Sequence, residues 1–304
     1  VKIKGRIIKG IRNKVKMNQE EFAATLGVSL RTYQNKEKTE LDLSYSQFIL
    51  IQELLGQHSE DFWLLFLETD EHKDYRLYRK LRWLISENSH DEAKEILKKF
   101  DSKRKEPHML INQFLSIARI KLNMDLSDKE AIDGLWQALS MTKANFEEAN
   151  LKEYRLTFNE IAIISEIAVR LYETEEKSRA ITMLQDLEQN IEESFTTEED
   201  RALLLPPLLF DLSNMLGDFD RNEESIEICE KALRIGKSNS NFRFHPKIHY
   251  NMARRKLKLG EERCIWEPLL VRAYQGALMQ GDGLAAKTIK EDANTNFGIS
   301  LGGD

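Results

Sequence analysis

Apolar residues recur at helical spacing from the start of the chain. Ile7, Ile8, Ile11 and Val15 share one side of a segment that predicts a helix over 4–16. Phe22, Ala23 and Leu26 mark a shorter helix, opened by Gln19-Glu20-Glu21 with Asn18 as its N-cap. Gly27 ends it where the chain needs a positive φ, and Val28 plugs the turn. Ser29 then caps a helix over 30–36 whose buried anchor is Tyr33. Phe48, Ile51, Leu54 and Leu55 predict a fourth helix over 45–55, stopped by Gly56, and 59–67 reads as a short, strongly apolar fifth. The polar run 69–74 is the expected linker, which puts domains at 1–68 and 75–304.

From Tyr75 onward the pattern is helix after helix, with no alternation that would mark a strand. Small or apolar residues at Ala93, Ala131, Ala180, Ser225 and Ile265 follow acidic or polar pairs at intervals of roughly 40–50 residues, somewhat longer than the ~34 of tetratricopeptide repeats. Asp128–Leu139 and Asn222–Leu233 carry the pattern best. Their small residues let paired helices approach, and their large ones fill the gaps between pairs. Pro206-Pro207 and Pro246 are each expected just before the first helix of a pair, where proline is tolerated. Gly281-Asp282-Gly283 should break a long helix over 262–280 from a last one over 284–297. Leu284, Ala285, Ile289 and Ala293 lie on one side of that last helix, as a cap for the final repeat and a dimer surface. The expected fold is all-α: an N-terminal helix-turn-helix domain followed by a superhelix of tetratricopeptide-like repeats, right-handed as the resemblance to known repeat proteins implies.

Residues 18–39 resemble a helix-turn-helix of the phage-repressor type. Ala23 and Gly27 stand where two helices cross closely and the chain turns. A helix of this size fits the major groove with its N-terminal residues at base edges. The expected DNA-contact residues are Gln19, Ser29, Arg31, Thr32, Gln34, Asn35 and Lys36, with Arg31 reading a base and Gln19 touching phosphate. The pattern departs from its type after the second helix, where Glu37-Lys38-Thr39 replaces the usual Glu-Arg-Gly. Charge agrees with this reading. Residues 1–38 hold ten Lys or Arg and three acids, a net of +7 in a chain whose formal charge is −6.

Nothing points to catalysis or to a cofactor. Glycine-rich phosphate loops are absent, and Cys229 and Cys264 lack metal or redox spacing, as suits a reducing compartment. His245 and His249 lie four apart without acidic or cysteine companions and read as a helix-surface pair, so no metal site is expected. No apolar run reaches the ~20 residues of a membrane span and no signal peptide is visible, so the expected location is cytoplasmic.

A repressor-type helix-turn-helix, a short linker and about five helical repeats together resemble the RRNPP family of peptide-pheromone receptors. These are quorum-sensing transcription regulators of Gram-positive bacteria. The resemblance covers the whole chain in architecture and is specific in residues only in the head. It implies a homodimer on palindromic double-stranded DNA, switched by a short re-imported signalling peptide on the concave face of the repeats. First helices placed near 161–171, 206–217 and 246–260 then select Phe210, Asn214, Tyr250, Arg254 and Lys258 as peptide-contact residues. Asn159 and Asn251 lie close to the same faces, and Ser165 and Val169 come from the earlier unit. The alternative is a regulator whose repeats bind a protein partner. A DNA-binding subunit without regulation and a plain repeat scaffold fit less well, and an enzyme least.

Overall fold

A computed structural model describes residues 2–44, 47, 51, 70–86, 89–102, 109–123, 125–194 and 197–302. Most of the expected helix 45–55 and all of 59–67 lie outside the described residues. By internal contacts the chain divides into two compact units, 1–92 and 93–304.

The first unit opens with strand β1 (Lys2–Lys4) and helices α1 (Gly5–Lys14), α2 (Gln19–Thr25) and α3 (Leu30–Lys38), followed by strand β2 (Glu40–Asp42). β1 and β2 pair antiparallel, with Ile3 opposite Leu41, a small sheet that helical periodicity did not foresee. The Gly5 amide donates to the Thr39 carbonyl at 2.8 Å and ties the start of α1 to the residue before β2. Ile3, Ile8, Ile11, Phe22, Ala23, Leu26, Tyr33, Leu41, Leu43 and Ile51 make one core. Helix α4 covers Asp70–Ser86, so the expected linker 69–74 is helical from Asp70 onward.

Helix α5 (His90–Asp101) spans the division, and the second unit continues with α6 (Met109–Leu122), α7 (Asp128–Ser140), a 3₁₀ segment (Glu148–Glu153), α8 (Phe158–Glu173), α9 (Lys177–Ser194), α10 (Glu198–Asp218), α11 (Asn222–Ser238), α12 (His245–Lys258), α13 (Arg263–Met279) and α14 (Gly283–Thr295). Each helix from α6 packs on the next, and α6, α8, α10 and α12 also touch one another in series. Helices that reach their next-but-one neighbours lie on the inside of a curved stack. These four are therefore the inner layer of a tetratricopeptide-like superhelix, with α7, α9, α11 and α13 outside. Ala131, Ala138, Ala180, Ser225 and Ala232 are buried where the paired helices meet, as the repeat pattern requires.

One boundary differs from expectation. Pro206 and Pro207 lie inside α10, which starts two turns earlier at a Thr197 cap. Proline removes the amide that would bond to the carbonyl four residues back. The Ala202 carbonyl released by Pro206 instead accepts Asn241 Nδ2 at 2.9 Å, so the loop before α12 supplies the missing donor. Pro246 does stand in the first turn of its helix. At the far end Asp282 caps α14, and Ala286, Ile289, Ala293, Phe297, Ile299 and Leu301 pack against Trp266, Leu270, Ala273 and Ala277. The last helix thus covers its apolar side within its own unit. Leu284, expected on that side, is 78% exposed.

Candidate DNA-contact surface and inner face of the repeats

The helix-turn-helix is fixed by local bonds. Asn18 Oδ1 accepts the Glu21 amide at 2.9 Å while Glu21 Oε2 accepts the Asn18 amide at 2.8 Å, a reciprocal cap for α2. Gly27 has φ +68°, the left-handed value that a side chain disfavours. Ser29 Oγ accepts the Thr32 amide at 3.1 Å and starts α3. Tyr33, wholly buried, meets Phe22 edge-to-face with ring centroids 5.5 Å apart. With that side fixed inward, Arg31, Thr32, Gln34, Asn35 and Lys36 are all exposed.

Glu37, which sequence reading noted only as part of a departure, ties the motif together. It accepts Arg12 Nε at 2.9 Å and the Tyr33 hydroxyl at 3.0 Å, and it also accepts the Gln19 amide. Burial works against its charge, but the bonds from Arg12, Gln19 and Tyr33 outweigh it and hold the carboxyl below the usual range. Burial and the Glu37 charge together push the Tyr33 hydroxyl up. Gln19 also accepts Gln34 Nε2 at 3.2 Å, so both ends of its amide are engaged and the starts of α2 and α3 are joined. The Ser29 hydroxyl is likewise committed to its cap.

Two of the asparagines expected in the groove lie between helices instead. Asn159 is buried and donates to the Leu110 carbonyl at 2.8 Å, tying α8 to α6. Asn251, 1% exposed, donates to Ser213 Oγ at 2.9 Å and accepts Arg255 Nε at 3.0 Å. Buried amides must be satisfied, and these two are satisfied by their neighbours. A shift of one position on a helix turns a side chain by about 100°, which takes it from groove to interface.

The other candidates reach the inner layer. Phe210 is half-buried beside Phe244, with ring centroids 6.4 Å apart. Asn214, one turn on, is half-buried, and its side-chain amide has no partner among the described residues. Tyr250 donates its hydroxyl to Asp292 at 2.8 Å, with the Arg254 guanidinium 5.7 Å above its ring, so both lie toward α14. Lys258 is exposed at the end of α12, 3.8 Å from Asp220. From the earlier unit, Ser165 and Val169 are half-buried.

Besides Arg254 and Lys258, this face carries charged residues that sequence reading missed. Glu166 pairs with Lys121 at 2.7 Å and with Arg170 at 3.2 Å, and Arg170 reaches Asp128 at 3.1 Å. Asp211 lies on α10 between Phe210 and Asn214. Arg255, 1% exposed, bonds Asn251, the Asn214 carbonyl at 3.3 Å and Asp218 at 3.0 Å. The signal for Arg255 was Gly217, whose missing side chain leaves the slot that the guanidinium fills. His245 and His249 are half-buried rather than on the surface, with rings 5.9 Å apart. Burial first, and then the neighbouring His245, lowers the His249 pKa to about 4. Among the described residues no cluster of His, Cys, Asp and Glu could hold a metal, and no helix is long and apolar enough to cross a membrane.

This arrangement defines an all-α protein with a repressor-type helix-turn-helix head and tetratricopeptide-like repeats, the fold of the RRNPP regulators. No sequence-family model and no curated protein matches the chain. Among solved structures, Bacillus thuringiensis PlcR in complex with the peptide PapR7 and DNA is similar over 96% of this chain and 98% of its own, at 18% identity and a TM-score of 0.68. ComR from S. thermophilus, in complex with DNA and its signalling peptide ComS, is similar over 97% and 99%, at 15% identity and a TM-score of 0.60. At these identities the likeness is one of fold.

Proposed function

We infer that this chain is a DNA-binding transcription regulator, not an enzyme, which acts as a homodimer and is switched by a short signalling peptide held on the inner face of its repeats. The observation that carries the reading is the α2–α3 pair. Its buried side is locked by Tyr33, Phe22 and the Glu37 bonds, and its outer side presents Arg31, Thr32, Gln34, Asn35 and Lys36 together. That division of labour is what direct base readout needs. The strongly basic composition of residues 1–38 supplies phosphate attraction, and PlcR and ComR, which share the fold, are seen with DNA and a peptide.

For the peptide, the inner face offers Phe210 for apolar contact, the unpartnered Asn214 amide for a peptide backbone, and Arg254 and Lys258 as cations. Asn159 and Asn251 support the wall rather than the ligand. For the dimer, Leu278, Met279 and Leu284 form an exposed apolar group at the turn between α13 and α14. The test is co-purification of the full-length protein followed by mass spectrometry for a bound oligopeptide, and then a measurement of DNA affinity with and without it. A protein partner recovered in place of a peptide transfers the switch to protein–protein contact.

A further inference from the structure

We propose that Asp211 is a specificity-determining residue of the inner face and takes a positively charged group of the bound peptide, either its N-terminal ammonium or a Lys or Arg side chain. The inference rests on reading the inner face as the peptide site, and it names a feature of the ligand. Asp211 lies on α10, immediately after Phe210 and one turn before Asn214, on the layer formed by α6, α8, α10 and α12. Its carboxylate has no hydrogen bond or ion pair among the described residues.

The charged groups that face it come from each packed inner helix: Lys121 on α6, Glu166 on α8 and Lys247 on α12. Lys121 is already taken by Glu166 at 2.7 Å. Lys247 is near enough to act on Asp211 through space but makes no ion pair with it. Glu166, an acid on the neighbouring inner helix, has two cations in contact, whereas Asp211 has none among the described residues. A sheltered carboxylate without a partner is the costly member of such a wall, and a cation that brings its own donors satisfies it. The electrostatics agree. Burial pushes the carboxyl up to about 7, aided by Glu166 and opposed by Lys121 and Lys247. Phe210 and Asn214 on either side would hold an apolar side chain and the peptide backbone, leaving a charged group to meet the acid between them.

The test uses full-length protein and its Asp211→Asn variant, each incubated with two random heptapeptide libraries, one with free and one with acetylated N-termini. Retained peptides are identified by mass spectrometry, and the fold of the variant is checked by its melting curve. The wild type should enrich cation-bearing peptides about tenfold over the variant. Enrichment confined to the free-amine library identifies the N-terminal ammonium as the source. Lys or Arg at a fixed position in both libraries identifies a side chain. Equal enrichment by the two proteins, without a charge preference, overturns the role of Asp211 and leaves the peptide-receptor reading standing. No enrichment by the wild type removes that reading and this inference with it.

Discussion

Gly217→Ala should destabilise the repeat unit, although glycine to alanine inside a helix ordinarily stabilises by about 1 kcal/mol. Gly217 lies in the last turn of α10, where an added Cβ would overlap Arg255 Nε and Cζ and sit 2.6 Å from Cδ. A flexible side chain would swing away, but this one is 1% exposed and pinned by Asn251 and Asp218, each at 3.0 Å. Overpacking a tight site costs about 1–3 kcal/mol. Displacing the guanidinium leaves Asn251 Oδ1 without its donor, about 1–3 kcal/mol more. Set against the helix gain, the net loss is about 3 kcal/mol, which lowers the melting temperature by roughly 6–12 °C for a unit of this size. Urea titration and thermal melts of wild type, Gly217→Ala, Arg255→Met and the double variant measure it. The double variant should be more stable than the sum of the single losses implies, because removing the guanidinium relieves the overlap. A neutral or stabilising Gly217→Ala, or strict additivity with Arg255→Met, refutes the slot.

Further outcomes follow from the two units. Arg31→Ala should weaken a selected DNA site by about 1–3 kcal/mol and random DNA little, measured by fluorescence anisotropy; equal losses would make Arg31 a phosphate contact. Glu37→Gln should lower stability at pH 7 and blunt acid sensitivity, measured by melting across pH. The carboxyl lies lower folded than unfolded, so its contribution is present above the ordinary carboxylate pKa and lost as pH falls through the folded value. Asp211→Asn has the opposite sign. With the folded pKa raised from 3.8 to about 7, the penalty of ionising Asp211 grows between those pH values. The variant should therefore melt higher than wild type at pH 8 and equal to it near pH 3, and a wild-type advantage at pH 8 would contradict that environment. Met279→Glu with Leu284→Glu should shift sedimentation toward monomer while leaving the core of α13 and α14 intact; an unchanged dimer would place the interface elsewhere.

Helical periodicity read the second unit well because its signals are local. Paired small residues, the Gly281-Asp282-Gly283 break and the Pro246 start are each set within a turn or two of chain. The strands 2–4 and 40–42 were not legible, since each has three residues and is stabilised by a partner nearly forty positions away. The start of α10 was misplaced because proline was read as a boundary, when a side chain from another segment replaces the lost bond. Phe210 and Asn214 are half-buried on the inner layer, whereas Asn159 and Asn251, which residue type alone does not separate from Asn214, lie between helices. A buried amide and a ligand-facing amide look alike until the partner helix is in place. Asp211, Lys121 and Glu166 were hidden for a related reason: in a chain that is 32% charged, an inner-face acid does not stand out from solvated ones.

The most direct measurement takes a duplex selected from random-sequence DNA by the full-length protein and determines its affinity with and without the oligopeptide that co-purifies. The account predicts a bound peptide and a change in DNA affinity of about 5–150-fold, the usual range for coupling between two sites. It also predicts that Asn214→Ala abolishes the change while leaving peptide-free DNA binding intact. Absence of any bound peptide, or the same affinity with and without it, would contradict the account.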